Sequence, residues 1–131
     1  MFRRLATIAV LSLAVATSAF AAAVKPRHIA IQIDQNDPQV MNLVLNNATN
    51  VIEYYRAQKQ DVDVDIVAYG PGLHMLRADT SPVRDRIKRP KDMAFPSKVQ
   101  VSACNNTKQG MEEAEGHASA TFPEPQGVPR G

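Results

Sequence analysis

Cys104 is the only cysteine in the 131-residue chain. It stands where an alternating segment gives way to a helix-compatible one. Val99, Val101 and Ala103 alternate with Lys98, Gln100 and Ser102, the period-2 pattern of a half-buried strand. Behind Cys104 come Asn105, Asn106 and Thr107, which are good N-cap residue types, then a helix-compatible run from Met111 to Glu115 that Gly116 should stop. A thiol placed before a helix N-terminus meets the positive end of the helix dipole and free backbone N–H groups, and both favour the thiolate. Cys104 is therefore a candidate reactive sulfur, with Asn105, Asn106 and Thr107 as hydrogen-bond donors to it. The competing reading is a buried cysteine acting as a small hydrophobe.

The preceding elements must position that junction. His28 to Ile33 is a short apolar run with β-branched residues and reads as a first strand, ending at Asp34. Asp37 and Pro38 form an N-cap followed by proline at the first helical position. From there Met41, Val44, Leu45, Ala48, Val51, Ile52 and Tyr55 recur at three- and four-residue steps, which defines a helix with one apolar face. Asp61 to Tyr69 is a second strand, alternating at first and then continuously apolar at Ile66-Val67-Ala68, so that one end reads as buried on both faces. Gly70-Pro71-Gly72 turns the chain into a short helix begun by Leu73, Met75 and Leu76. That turn offers backbone N–H groups, which makes Gly70 and Gly72 candidate anion-binding residues, with His74 beside them as a distant proton partner. Thr80-Ser81-Pro82 repeats the cap-then-proline start and implies a helix from Pro82 to Arg89, after which Pro90 and Pro96 bracket a loop. Beyond Gly116 the pattern fades. Ala118 to Phe122 reads as a fourth strand or as part of an irregular tail covering 118–131.

Strand, helix, strand, helix, strand, helix implies parallel pairing through right-handed crossovers. The expected fold class is α/β: a three-layer, flavodoxin-like small parallel sheet with helices on both faces. With the first strand central and the others on either side, Asp34 and Cys104 would end neighbouring strands at the point where strand order reverses. That is where such sheets place their working crevice.

Residues 1–23 read as a signal peptide. Arg3 and Arg4 form a basic start, Leu5 to Val15 an apolar centre, and Ala19-Phe20-Ala21 a small-residue cleavage site. The apolar run falls short of the roughly 20 residues a membrane span needs, so stable membrane insertion after cleavage is not expected. A periplasmic or secreted location follows. The chain carries 15 Lys+Arg and 13 Asp+Glu; without Arg3 and Arg4 the balance is even. A nucleic-acid surface is thereby disfavoured, because such domains carry a marked basic excess. Asp61, Asp63 and Asp65 lack the glycine and distal glutamate of a calcium loop, so no metal is expected. What remains after the signal, residues 24–117, is one small domain.

At this point Leu45-Asn46-Asn47-Ala48, Val67-Ala68-Tyr69-Gly70-Pro71-Gly72-Leu73 and Ala103-Cys104-Asn105-Asn106-Thr107 with Gly110-Met111 resemble the DsrE/DsrF-like family, and most closely its small exported members. The resemblance covers about residues 27–117. It implies a three-layer α/β fold and homo-oligomers, commonly trimers or hexamers; no cofactor is expected. It also implies that Cys104 carries sulfur as a persulfide, exchanged with a donor or acceptor protein. Relatives of this type continue with another strand and a closing helix where this chain reads Gly127-Val128-Pro129-Arg130-Gly131. Two functions are carried forward: a periplasmic sulfur-handling or thiol-redox protein working through Cys104, or a non-catalytic oligomeric binding module holding a small anion or a protein partner at the Gly70-Gly72 edge.

Overall fold

The computed structural model describes residues 25–122 and 126–128. The signal peptide expected at 1–23 lies outside them. Four parallel strands lie side by side in chain order: β1 (Arg27–Ile33), β2 (Val62–Ala68), β3 (Lys98–Cys104) and β4 (Gln126–Val128). The helices packed around this sheet are α1 (Pro38–Ala57), α2 (Arg84–Met93) and α3 (Asn105–Glu115), and a 3₁₀ turn spans Gly70–Leu76. This is the expected small α/β sheet of the flavodoxin-like class.

α1 starts as its sequence dictates. The Asp37 side chain accepts a hydrogen bond from the Gln39 N–H at 2.7 Å, and Pro38 sits in the first turn. Its inner face buries Met41, Val44, Leu45, Ala48 and Ile52. Against these lie Ile33 of β1 and Val62, Val64, Ile66 and Ala68 of β2, and Val99, Val101 and Ala103 of β3 continue the same core beneath α2. Each fully buried Leu, Ile or Val stabilises by roughly 1.5–3 kcal/mol, so this layer is the main source of stability. Leu73, Met75, Leu76, Val83 and Ile87 extend the core over the carboxyl half of the sheet.

The strand order corrects the expectation that β1 is central. β2 lies between β1 and β3, with Ile33 opposite Ala68 and Ala68 opposite Ala103. The reason is apolar content: β2 is buried or half-buried along its whole length, whereas Arg27, His28, Ala30 and Gln32 leave β1 exposed enough for an edge. Asp34 and Cys104 therefore do not end neighbouring strands, and the order contains no reversal.

Two other boundaries moved. The helix expected at Pro82–Arg89 begins at Arg84 and continues through Pro90 to Met93. The N-cap is Val83 and not Ser81: the Ser81 hydroxyl donates to the Met75 carbonyl and accepts from the Val83 N–H at 3.4 Å, one turn before the helix begins. In the segment read as a tail, Thr121 bridges antiparallel to Arg77, and Gln126–Val128 adds a strand beside β3. Alternate side chains of the sheet, on the side away from α1, line an open groove of about 470 Å³. Its lining includes His28, Ala30, Asp63, Asp65, Lys98 and Gln100, all near the amino-terminal ends of the strands.

Candidate functional site at Cys104

Cys104 is the last residue of β3 and the N-cap of α3. Its backbone is extended (φ −66°, ψ 115°), so the chain turns from strand to helix on this residue, and the side chain remains half-buried. The sulfur makes no strict capping hydrogen bond. Nevertheless the Thr107 N–H, the Thr107 hydroxyl and the Asn106 N–H hold the thiol below its ordinary value of 9.0, and burial opposes them. Partial positive charge at a helix start favours the thiolate, and burial disfavours any charge; here the donors prevail.

Thr107 is tied to the neighbouring turn. The Gly70 backbone N–H donates to Thr107 Oγ1 at 3.0 Å. A hydroxyl that accepts one hydrogen bond keeps its own proton to donate, and the acceptance strengthens that donation. The Gly70 N–H and the Thr107 hydroxyl thus join the carboxyl ends of β2 and β3 next to the thiol whose pKa Thr107 lowers. Asn106 contributes through its backbone N–H, with its side chain exposed, and Asn105 is the half-buried first residue of α3.

The remaining candidates divide differently. Gly70 and Gly72 do not form an anion cradle, since the Gly70 N–H is taken by Thr107 and the Gly72 N–H by the Tyr69 carbonyl at 3.0 Å. Gly72 is instead a packing residue: a Cβ there would lie 2.3 Å from the Ile33 carbonyl oxygen. Gly70 has φ +50°, a conformation glycine adopts without strain. His74 Nδ1 lies 3.3 Å from Thr80 Oγ1, which gives the imidazole a partner other than the thiol. Asp34 is exposed at the end of the edge strand, separated from Cys104 by β2.

Two contributors escaped the sequence reading. Tyr69 follows Ala68, which is opposite Ala103, so Tyr69 rather than Asp34 comes beside Cys104. Its place at the end of the most apolar strand was the available signal. The second is Arg77, whose side chain is only 4 % exposed and forks between Asp79 and Glu115. This pins the far end of α3 to the segment leaving the 3₁₀ turn. Asp79 is two residues away and could have been found by spacing, but Glu115 is 38 residues away and carried no local signal.

No protein-family model matches the chain, and no curated protein matches it. Among solved structures it is similar to the protein of unknown function MTH1491 from Methanobacterium thermoautotrophicum. Identity is 24%, the match covers 80% of this chain and 84% of that one, and the TM-score is 0.61. At that identity the likeness concerns the fold alone. The local geometry provides one partly accessible thiol with a lowered pKa, set among donors that neutralise negative charge. Such a group can attack an electrophilic sulfur and stabilise the anionic sulfur that results.

Proposed function

We infer that this is an exported sulfur-handling or thiol-redox protein in which Cys104 carries sulfur as a persulfide or enters a mixed disulfide. The observation carrying this reading is the Cys104 thiol at the start of α3, held below its ordinary pKa by Thr107 and Asn106. The Cys104 thiolate attacks the outer sulfur of a donor persulfide, R–S–SH. The donor S–S bond breaks, its electron pair leaves with R–S⁻, and Cys104 becomes Cys–S–SH. No net oxidation occurs. The Thr107 hydroxyl and the two helix amides stabilise the anion before and after transfer. A donor or acceptor protein supplies or takes the sulfur, and the assembly is a homo-oligomer of trimeric or hexameric type.

Export to the periplasm or medium rests on the basic start, apolar centre and small-residue site of residues 1–23. Among the described residues no helix is long and apolar enough to cross a membrane. The alternative of an anion-binding module loses its support at the Gly70-Gly72 edge, where both amides are engaged internally.

The test is intact-mass measurement after incubation with a sulfane-sulfur donor. The expected result is a gain of one sulfur atom per chain, reversed by a thiol reductant and missing in Cys104→Ser. A Cys104 that takes up no sulfur and alkylates with an unshifted pKa overturns the reading.

A further inference from the structure

β1 ends the described sheet, and its outer edge pairs with no described strand. The ladder phase shows which groups that edge presents. The Arg27 N–H donates to the Asp61 carbonyl, and the Tyr69 N–H donates to the Ile33 carbonyl. Residues 27, 29, 31 and 33 thus spend both backbone groups on β2, and His28, Ala30 and Gln32 direct theirs outward. The edge is seven residues long and contains no proline and no lysine, the usual means of blocking strand addition.

A second feature sits on the same side of the molecule. On α1, Val40, Leu43, Asn47, Val51 and Tyr54 recur at three- and four-residue steps and form one stripe. Leu43 is 56% and Tyr54 62% exposed, although both are large and apolar. The opposite flank of α1 is occupied by α2, where Arg86 donates to Asn42 and Asn46. α1 packs on β1 and β2, so the stripe overhangs the open edge of β1.

We propose that β1 and the outer flank of α1 form a two-fold interface with a second copy of this chain. Antiparallel pairing centred on Ala30 fits the outward groups. Ala30 meets Ala30 of the other copy, and His28 and Gln32 exchange both backbone hydrogen bonds with each other's counterparts. Ile29 then faces Ile31 across the axis, on the helix-covered side, where both are only half-buried in the single chain. The period of two keeps every side chain on its own face in this register. No like charges oppose one another, and the α1 stripe is itself uncharged, so two copies meet without electrostatic penalty. The sheet becomes continuous across the pair, and the α1 helices pack beside the axis. Such a two-fold contact makes dimers by itself, and hexamers where a three-fold contact is also present.

Sedimentation equilibrium of the full chain at tens of micromolar tests this. The expected assembly contains an even number of chains. Ala30→Lys and Ala30→Glu should each halve its mass, and an equimolar mixture of the two should restore it, because opposite charges then meet at the axis. Ala30→Pro should also halve the mass while leaving the circular dichroism spectrum unchanged, since the outward N–H at position 30 is not part of the β1–β2 ladder. A monomeric full chain, or an assembly whose mass withstands Ala30→Lys, overturns the proposal.

Discussion

The backbone N–H of Gly70 and the hydroxyl of Thr107 are joined by a 3.0 Å hydrogen bond, which locks the turn after β2 to the first turn of α3. The same hydroxyl, together with the Thr107 N–H, lowers the pKa of Cys104. Thr107→Val should therefore raise the thiol pKa and slow alkylation at neutral pH by roughly 10- to 100-fold, on the scale of a charge-assisted hydrogen bond. Thr107→Ser should keep most of the effect. The check is the pH profile of alkylation by a small electrophile, and an unchanged profile in Thr107→Val would refute the role given to the hydroxyl.

A thiol whose pKa is depressed by folding also couples stability to pH. At pH values below the folded pKa, Cys104 is protonated in both states and contributes nothing through this linkage. As pH rises through the folded pKa toward the ordinary value of 9.0, the folded state loses its proton first and gains stability. Wild type should gain stability relative to Cys104→Ser over that window. Urea denaturation of both proteins from neutral pH to pH 9 measures the difference, and parallel curves would count against a depressed thiol.

Gly72 and Gly110 should respond in opposite ways to the same substitution. At Gly72 an added methyl meets the Ile33 carbonyl oxygen at 2.3 Å in the buried interior. Gly72→Ala should destabilise by about 1–3 kcal/mol or abolish folding. At Gly110, inside α3, a methyl meets nothing within 4 Å. Gly110→Ala should stabilise by about 0.5–1 kcal/mol. Denaturation midpoints at constant slope decide both.

Arg77 should confer acid sensitivity through its carboxylates. It holds both Asp79 and Glu115 below their ordinary values, chiefly by direct hydrogen bonds. The stability each contributes is fully present above the ordinary carboxylate range and is lost as pH falls through the depressed folded values. Glu115→Gln should flatten the loss of stability below the ordinary glutamate value of 4.5, and Asp79→Asn with Glu115→Gln should flatten it further. Arg77 would then be a buried cation without a counter-charge, so the double variant should also be much less stable at neutral pH. Thermal melts across the acid range provide the measurement.

Much of the site was legible because its signals are local. The alternation from Lys98 to Ala103 and the stop at Gly116 each act within a few residues, whereas the cap-type residues Asn105, Asn106 and Thr107 fall inside the first turn of α3 and Cys104 itself is its N-cap. Gly116 does close α3 in the left-handed conformation, at φ +72°. The α1 periodicity and the Asp37-Pro38 start were equally local. Gly72 was legible as a glycine the fold needs, but its reason was not, because the carbonyl it must admit belongs to Ile33 on another strand.

By itself the sequence determined the element order from β1 to α3, the apolar face of α1 and the placing of the lone thiol at a strand-to-helix junction. Periodicity, capping and turn chemistry are properties of neighbouring residues, so they survive without coordinates. Only the tertiary structure decided that β2 is central, that Asp34 is separated from Cys104 by a strand, that His74 meets Thr80, and that Gly70 serves Thr107 instead of an anion. Those outcomes depend on which strands compete for the most buried position and on hydrogen bonds spanning dozens of residues. β2, buried or half-buried along its whole length, takes the centre because it loses least by being covered on both edges, and that choice puts Tyr69 rather than Asp34 beside Cys104.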